Sequence, residues 1–265
     1  VVQEDWSHIN AFAYQLSANN ELFYNNTVLH YEPNIRDESQ LLWSVSLGNT
    51  FNMQPQFITN HYTKLKEVLV QDDSYMLHLI STSGKENWKR KLGGKILGEI
   101  HQIDYYKNNK LQVLFNTADS LYLLDRNGHN VEDFPAKLES RATTGHTLLD
   151  YDNSRKYRIL IPSEDKMVYN YDKAGDLVRG WRFTKMPERI TQPLQYHKQN
   201  GKDYIYAIDN AGNGKIVGRS GKQRIGLGTL PLADVFYIDQ QHGYVYTTDA
   251  QANVWLTDLK GNQTK

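Results

Sequence analysis

An all-β fold, read as a six-bladed β-propeller of four-stranded blades, is predicted by three observations in this 265-residue chain. An aromatic or large apolar residue recurs at Trp6, Trp43, Trp88, Phe134, Trp181 and Leu227, at gaps of 37, 45, 46, 47 and 46 residues, and joining the two termini leaves a gap of 44. Turn glycines keep nearly the same step at Gly84, Gly128, Gly175, Gly221 and Gly261. Between these markers lie short alternating strands, and a period of this size built from several strands marks a propeller blade.

The elements follow in chain order. The first unit, Ile9 to Leu47, is short and carries NNT and EPNIRDES where later units have clean turns. The second contains MQPQFITNHY, KEVLVQDD, YMLHLIST and ENWKRKLG. In the third, GEIHQIDYY, LQVLFNT, LYLLDR and VEDFPAKL read as four strands joined by Asn108-Asn109, Ala118-Asp119 and Asn127-Gly128, because Asn, Asp and Gly tolerate the positive φ of tight hairpins. HTLLDYD, KYRILIP, MVYNYD and RGWRFTK repeat this grammar, and QPLQYHK, KDYIYAID, KIVGRS and RIGLGTL keep the spacing with Leu227 in the aromatic position. The last unit offers only DVFYIDQ, YVYTTD and NVWLTD, so the N-terminal VVQEDWSHI, with Trp6, is expected to supply its outer strand and close the ring. An open array is the alternative. The recurrent Trp residues are assigned to packing between blades and the glycines to turns.

Composition narrows the function. Thirty basic residues balance thirty acidic ones, so no net field draws the chain to nucleic acid or to an anionic membrane. Cysteine is absent, which excludes disulfides, thiolate metal sites and cysteine nucleophiles. No run approaches the roughly 18 apolar residues of a membrane span. The chain is expected to be a single β-propeller domain over residues 1–265, taken from a longer protein.

Three segments, LISTSGKENW, LLDRNGHNVEDF and NYDKAGDLVRGW, place an acidic or polar strand end, a Gly turn and an outer-strand aromatic in order. They resemble the quinoprotein-type repeat, also called the PQQ-like repeat. The resemblance implies a propeller, and it is closer to the non-enzymatic outer-membrane assembly scaffold than to the dehydrogenases. Those enzymes use eight blades and a Glu, Asn and Asp set for calcium and cofactor, with a vicinal disulfide in some. The implied location is periplasmic, outer-membrane-associated or secreted, in a bacterium.

Candidate site residues lie in the turns between second and third strands. Asp72, Asp73, Asp119, Glu164, Asp165, Asp209 and Asp249 would gather on one face, where carboxylates suit a hard cation or a basic peptide. Asp is also a common turn residue, and that bland explanation stands beside the first. The loop starting at Asp209 lacks the terminal Glu of an EF-hand, so calcium is unsupported. Lys95, Arg141 and Arg189, in the connections leading into inner strands, form a basic rim on the same face. His8, His61, His101, His146 and His197 fall at or near inner strands, but none shows the local spacing that pairs two imidazoles on one metal. No nucleophile elbow or phosphate cradle opening a helix is present, so no catalytic residue, metal or cofactor is assigned. The expected function is a non-catalytic binding or scaffolding propeller for a protein partner in the bacterial envelope. The alternative is a sugar- or quinone-binding protein or enzyme of the quinoprotein-like class.

Overall fold

The computed structural model describes residues 9–19, 22–31, 42–51 and 53–265, and the chain divides into two compact units, Val1–Ser44 and Val45–Lys265. The described part of the first unit holds one antiparallel hairpin, β1 (Ile9–Asn19) and β2 (Leu22–Tyr31). Where a four-stranded blade is expected over Ile9–Leu47, the described residues thus form a two-stranded sheet. Val2 to His8, expected to complete the last blade, lie outside the described residues.

The second unit holds five successive antiparallel sheets. Blade I comprises β3 (Gln56–Thr59), β4 (Lys66–Gln71), β5 (Met76–Ile80) and β6 (Glu86–Lys91). Blade II comprises β7 (Leu97–Ile103), β8 (Gln112–Asn116), β9 (Ser120–Leu124) and β10 (Ala136–Lys137). Blade III has three strands, β11 (Thr147–Leu149), β12 (Arg158–Pro162) and β13 (Val168–Asp172). Blade IV comprises β14 (Gln195–Gln199), β15 (Lys202–Ile208), β16 (Asn213–Val217) and β17 (Gln223–Thr229). Blade V comprises β18 (Phe236–Ile238), β19 (Val245–Thr248), β20 (Val254–Thr257) and β21 (Gln263–Thr264).

Two expectations need correcting here. The last blade does not lack an outer strand, because the chain's own Gln263 and Thr264 pair with Thr257 and Leu256. In blade III, RGWRFTK forms no strand. Trp181 folds back so that its Nε1 donates to Val168 O at 2.7 Å, and Val178 N donates to Asn170 O at 2.8 Å, which satisfies the edge of β13 without a regular ladder. β10 is only two residues long, and the preceding Pro135 has no N–H to offer a ladder.

Four apolar clusters fill the four spaces between successive blades. Leu69, Leu77 and Leu79 of blade I meet Val113, Phe115 and Leu124 of blade II. Leu114 and Leu121 then meet Ile159 and Ile161, Leu160 and Val168 meet Ile205 and Val217, and Tyr206 and Ile216 meet Phe236 and Val245. Each of the three middle sheets therefore buries one face forward and one face backward, which is why their central strands read as near-continuous apolar runs.

The two periodic markers meet in space. Trp88 of blade I donates from Nε1 to Arg126 O of blade II at 2.8 Å and lies against Gly128, where a Cβ would come within 2.9 Å of the indole. Gly128 also has φ +80°, so both space and backbone require glycine there. Phe134 with Gly175 and Trp181 with Gly221 repeat the pairing.

Candidate binding faces

The turns between second and third strands share a face with the connections leading into the blades. Asp73 N donates to Thr50 O at 2.9 Å, Glu164 N to Arg141 O at 2.8 Å, and Asn210 N to Arg189 O at 2.9 Å. Lys95, exposed, sits between Gly94 and Ile96, whose backbone O and N are both held by the Gln71 amide at 2.9 Å.

The acidic residues on this face do not form a common cage. Asp72 and Asp209 are buried, each 1% exposed. Burial works against the charged form of Asp72, but hydrogen bonds from Asn49 Nδ2 (2.6 Å), Met76 N (2.8 Å) and Ser74 Oγ (2.7 Å) outweigh it and hold the carboxyl well below the usual range. Asp209 accepts from Ala211 N at 3.0 Å, Asn213 N at 2.9 Å and, from the preceding connection, Glu188 N at 2.9 Å. Asp249 accepts from Trp255 Nε1 and Asn253 Nδ2, both at 2.9 Å, and these bonds depress its pKa. All three are therefore turn caps, with their oxygens committed to local donors. Asp73 bonds the Thr50 hydroxyl, and Asp165 accepts from Tyr169 OH at 2.7 Å. Among the described residues, no group of three or more His, Asp or Glu is placed to hold a metal ion.

Three of the sequence-predicted residues do come together. Arg141 lies 2.6 Å from Asp119 of blade II and 3.9 Å from Glu164 of blade III, and all three are exposed. Lys166 and Glu188 continue the mosaic toward blade IV at 3.2 Å. Arg189 is exposed beside Glu188.

Sequence reasoning missed a seam along the inner strands. Gln56, His101, Thr147, Gln195 and Tyr237 occupy one register position, opposite Leu69, Leu114, Leu160, Tyr206 and Tyr246. Four of them engage the next blade. Gln56 receives Ile100 N at 2.7 Å and donates to Gly98 O at 3.1 Å, while Gln195 receives Ile238 N at 3.1 Å and donates to Phe236 O at 2.8 Å. Thr147 Oγ1 donates to Leu194 O at 2.8 Å. His101 Nδ1 meets His146 Nε2 at 3.1 Å. The fifth, Tyr237, is 66% exposed.

The histidine contact fixes its own tautomers. Asn116 Nδ2 donates to Thr117 O and Thr144 O, so its Oδ1 accepts from His146 Nδ1 at 3.1 Å. His146 Nε2 then accepts from His101 Nδ1. Burial, with the His101 charge second, pushes His146 down to about 3. A within-strand spacing search could not find this pair, because the partners stand 45 residues apart on different blades. Of the other histidines, His61 Nδ1 accepts from Leu111 N at 3.1 Å, His197 is buried on β14, and His8 lies outside the described residues.

A second missed series was legible in the sequence. Arg126, Lys173 and Arg219 each follow the first residue of a third-to-fourth-strand turn, and each reaches back over an aromatic ring of the preceding blade: Tyr62 at 5.8 Å, Tyr105 at 4.5 Å and Tyr151 at 4.6 Å.

No protein-family model matches this sequence, and no curated protein is similar to it. Solved structures are. BBS1N in complex with ARL6DN, in a lead-soaked crystal, is similar at a TM-score of 0.59 and 8% identity over 82% of this chain and 66% of that one. A mercury-soaked crystal of the same complex gives 0.59 and 10% over the same shares. The computationally designed Ika8 protein gives 0.52 and 13% over 79% of this chain and 59% of its own. This chain thus spans less than two thirds of the length of each. Both folds are β-propellers, and at such low identity the likeness establishes that fold and nothing more.

Proposed function

We propose that this chain is a non-catalytic β-propeller scaffold that binds a protein partner, with the exposed turn face as a docking surface. The observation that carries the reading is the Asp119–Arg141–Glu164 cluster, an exposed alternation of charge that spans a blade boundary and continues through Lys166, Glu188 and Arg189. Charged rims of this kind orient a partner and set association rate more than they set affinity. The likeness to a propeller crystallised with a protein partner supports the same class of function. An envelope location and kinship with the quinoprotein-type scaffold remain part of this proposal. Cross-linking the full chain to its partner should lose roughly tenfold in yield on Arg141→Glu, with the fold intact by circular dichroism. Unchanged yield, together with turnover of a small substrate by the purified protein, would overturn the reading.

We also propose that the ring is closed at six units, as the sixfold recurrence of the outer-strand aromatic or large apolar residue implies. Tyr237, 66% exposed, and Phe57, 71% exposed, mark the two ends of the five-blade run. A crystal structure of the full chain with any other number of blades would sink the closure.

A further inference from the structure

The hairpins joining first and second strands, residues 60–65, 104–111, 150–157, 200–201 and 239–244, make a second surface at the opposite strand ends from the turn face. They touch in series. Leu111 N donates to His61 Nδ1 at 3.1 Å, Arg155 pairs with Asp104 at 2.6 Å, Lys198 Nζ donates to Tyr151 O at 3.1 Å, and Gln199 Nε2 to Gln241 O at 3.2 Å.

The exposed acids at this surface have partners, Asp152 in Arg219 at 2.8 Å and Glu132 in the Tyr106 hydroxyl at 2.7 Å. Its buried acids are committed inward: Glu67 to Asn60 Nδ2 (3.1 Å), Asn87 Nδ2 (3.2 Å) and Arg126 (3.4 Å), Asp104 to Arg155 and two turn amides, Asp203 to Arg219 and Tyr196. Its lysines have no carboxylate partner, although Lys64 and Lys198 donate to the backbone carbonyls of His61 and Tyr151 at 2.8 and 3.1 Å. Lys64, Lys107, Lys110, Lys156, Lys198 and Lys202 are all exposed, and among the described residues the lysine ion pairs are those of Lys89 and Lys166. A zero net charge over the whole chain hides this local basic field. Between the first two hairpins lies a cleft of about 360 Å³ lined by His61, Tyr62, Tyr106, Lys110 and Arg126. Tyr62 is 64% and Tyr106 49% exposed. Asp125, also in its wall, is occupied in capping Asn127 N (2.8 Å) and His129 N (2.9 Å).

We propose that this hairpin surface docks an acidic segment of a partner protein, with an aromatic side chain of that segment seated between Tyr62 and Tyr106. Glutamates would face the lysines that lack a carboxylate partner, and the ring would supply the buried anchor that charge alone does not. The inference rests on the protein-binding reading above but uses the opposite face, so the Arg141 variant and the lysine variants below can fail separately.

The test is fluorescence anisotropy of the full chain with a labelled octapeptide of six glutamates, one tyrosine and one phenylalanine. The account expects saturable binding that weakens as salt is raised, because exposed charges are screened within about 8 Å at physiological ionic strength. Combining Lys64→Glu, Lys107→Glu and Lys110→Glu should weaken it more than tenfold, while Lys137→Glu on the outer strand of blade II leaves it unchanged. Equal binding to parent and triple variant overturns the proposal, as does absence of binding at low salt. Tighter binding of a single-stranded oligonucleotide of equal charge also overturns it.

Discussion

Gly145→Val is expected to destabilise the Val45–Lys265 unit by about 3 kcal/mol or more and to lower its Tm by roughly 6–12 °C. The reason is a backbone approach at the seam between blades II and III. A Cβ on Gly145 would come within 2.7 Å of Gly98 Cα and 2.8 Å of Leu97 O, and backbone atoms cannot step aside as a flexible side chain can. Relief requires β7 and the segment leading into β11 to part. That movement would also stretch the His101–His146 contact one residue away. Differential scanning calorimetry checks the prediction, and an unchanged Tm would show that the two inner strands do not approach as described.

The second large effect is acid sensitivity centred on His146. Its folded pKa, about 3, lies below the ordinary histidine value of 6.5, so between those two pH values the unfolded chain binds the extra proton. Stability from the neutral imidazole is therefore complete above pH 6.5, declines as pH falls through the window and levels off below about 3. The loss is on the order of 5 kcal/mol over the window for one group, with a slope approaching 1.4 kcal/mol per pH unit in its middle. His101, Asn116 and the nearby Glu99 are the polar groups facing this seam. His101 is also held low by burial, with Glu99 opposing, so it contributes in the same direction. Replacing His146 by Gln keeps a donor for Asn116 and removes the titration. Urea unfolding at pH 7 and pH 4 should show a smaller difference for His146→Gln than for the parent, and an equal difference would move the acid sensitivity elsewhere.

How much of this was legible follows from which forces leave a periodic trace. The outer aromatic and the turn glycine recur because each blade must seat a ring on the next blade's turn, and Trp88 against Gly128 shows the two markers to be one contact. Acid residues at the second turns also recur, and there Asp72, Asp209 and Asp249 accept hydrogen bonds from turn amides, which is a local cause for their period. The inner-strand seam was hidden because Gln, His and Thr perform one task with different chemistry, and a period in position without a period in residue type is invisible to pattern reading. The last strand, Gln263–Thr264, escaped because two residues show no alternation. The lysine-rich hairpins were masked by a net charge of zero, and only the pairing of the acids with Arg126, Arg155 and Arg219 separates the two signs.

Cysteine-pair mapping in this cysteine-free chain tests the central claim most directly, namely that successive blades join through one register position of their inner strands. The pairs Gln56→Cys with Ile100→Cys, His101→Cys with His146→Cys, and Gln195→Cys with Ile238→Cys should each cross-link with a short bismaleimide, whereas Gln56→Cys with Gln195→Cys should not. Efficient linking of that last pair, or failure of the first three in a folded protein, would contradict the account.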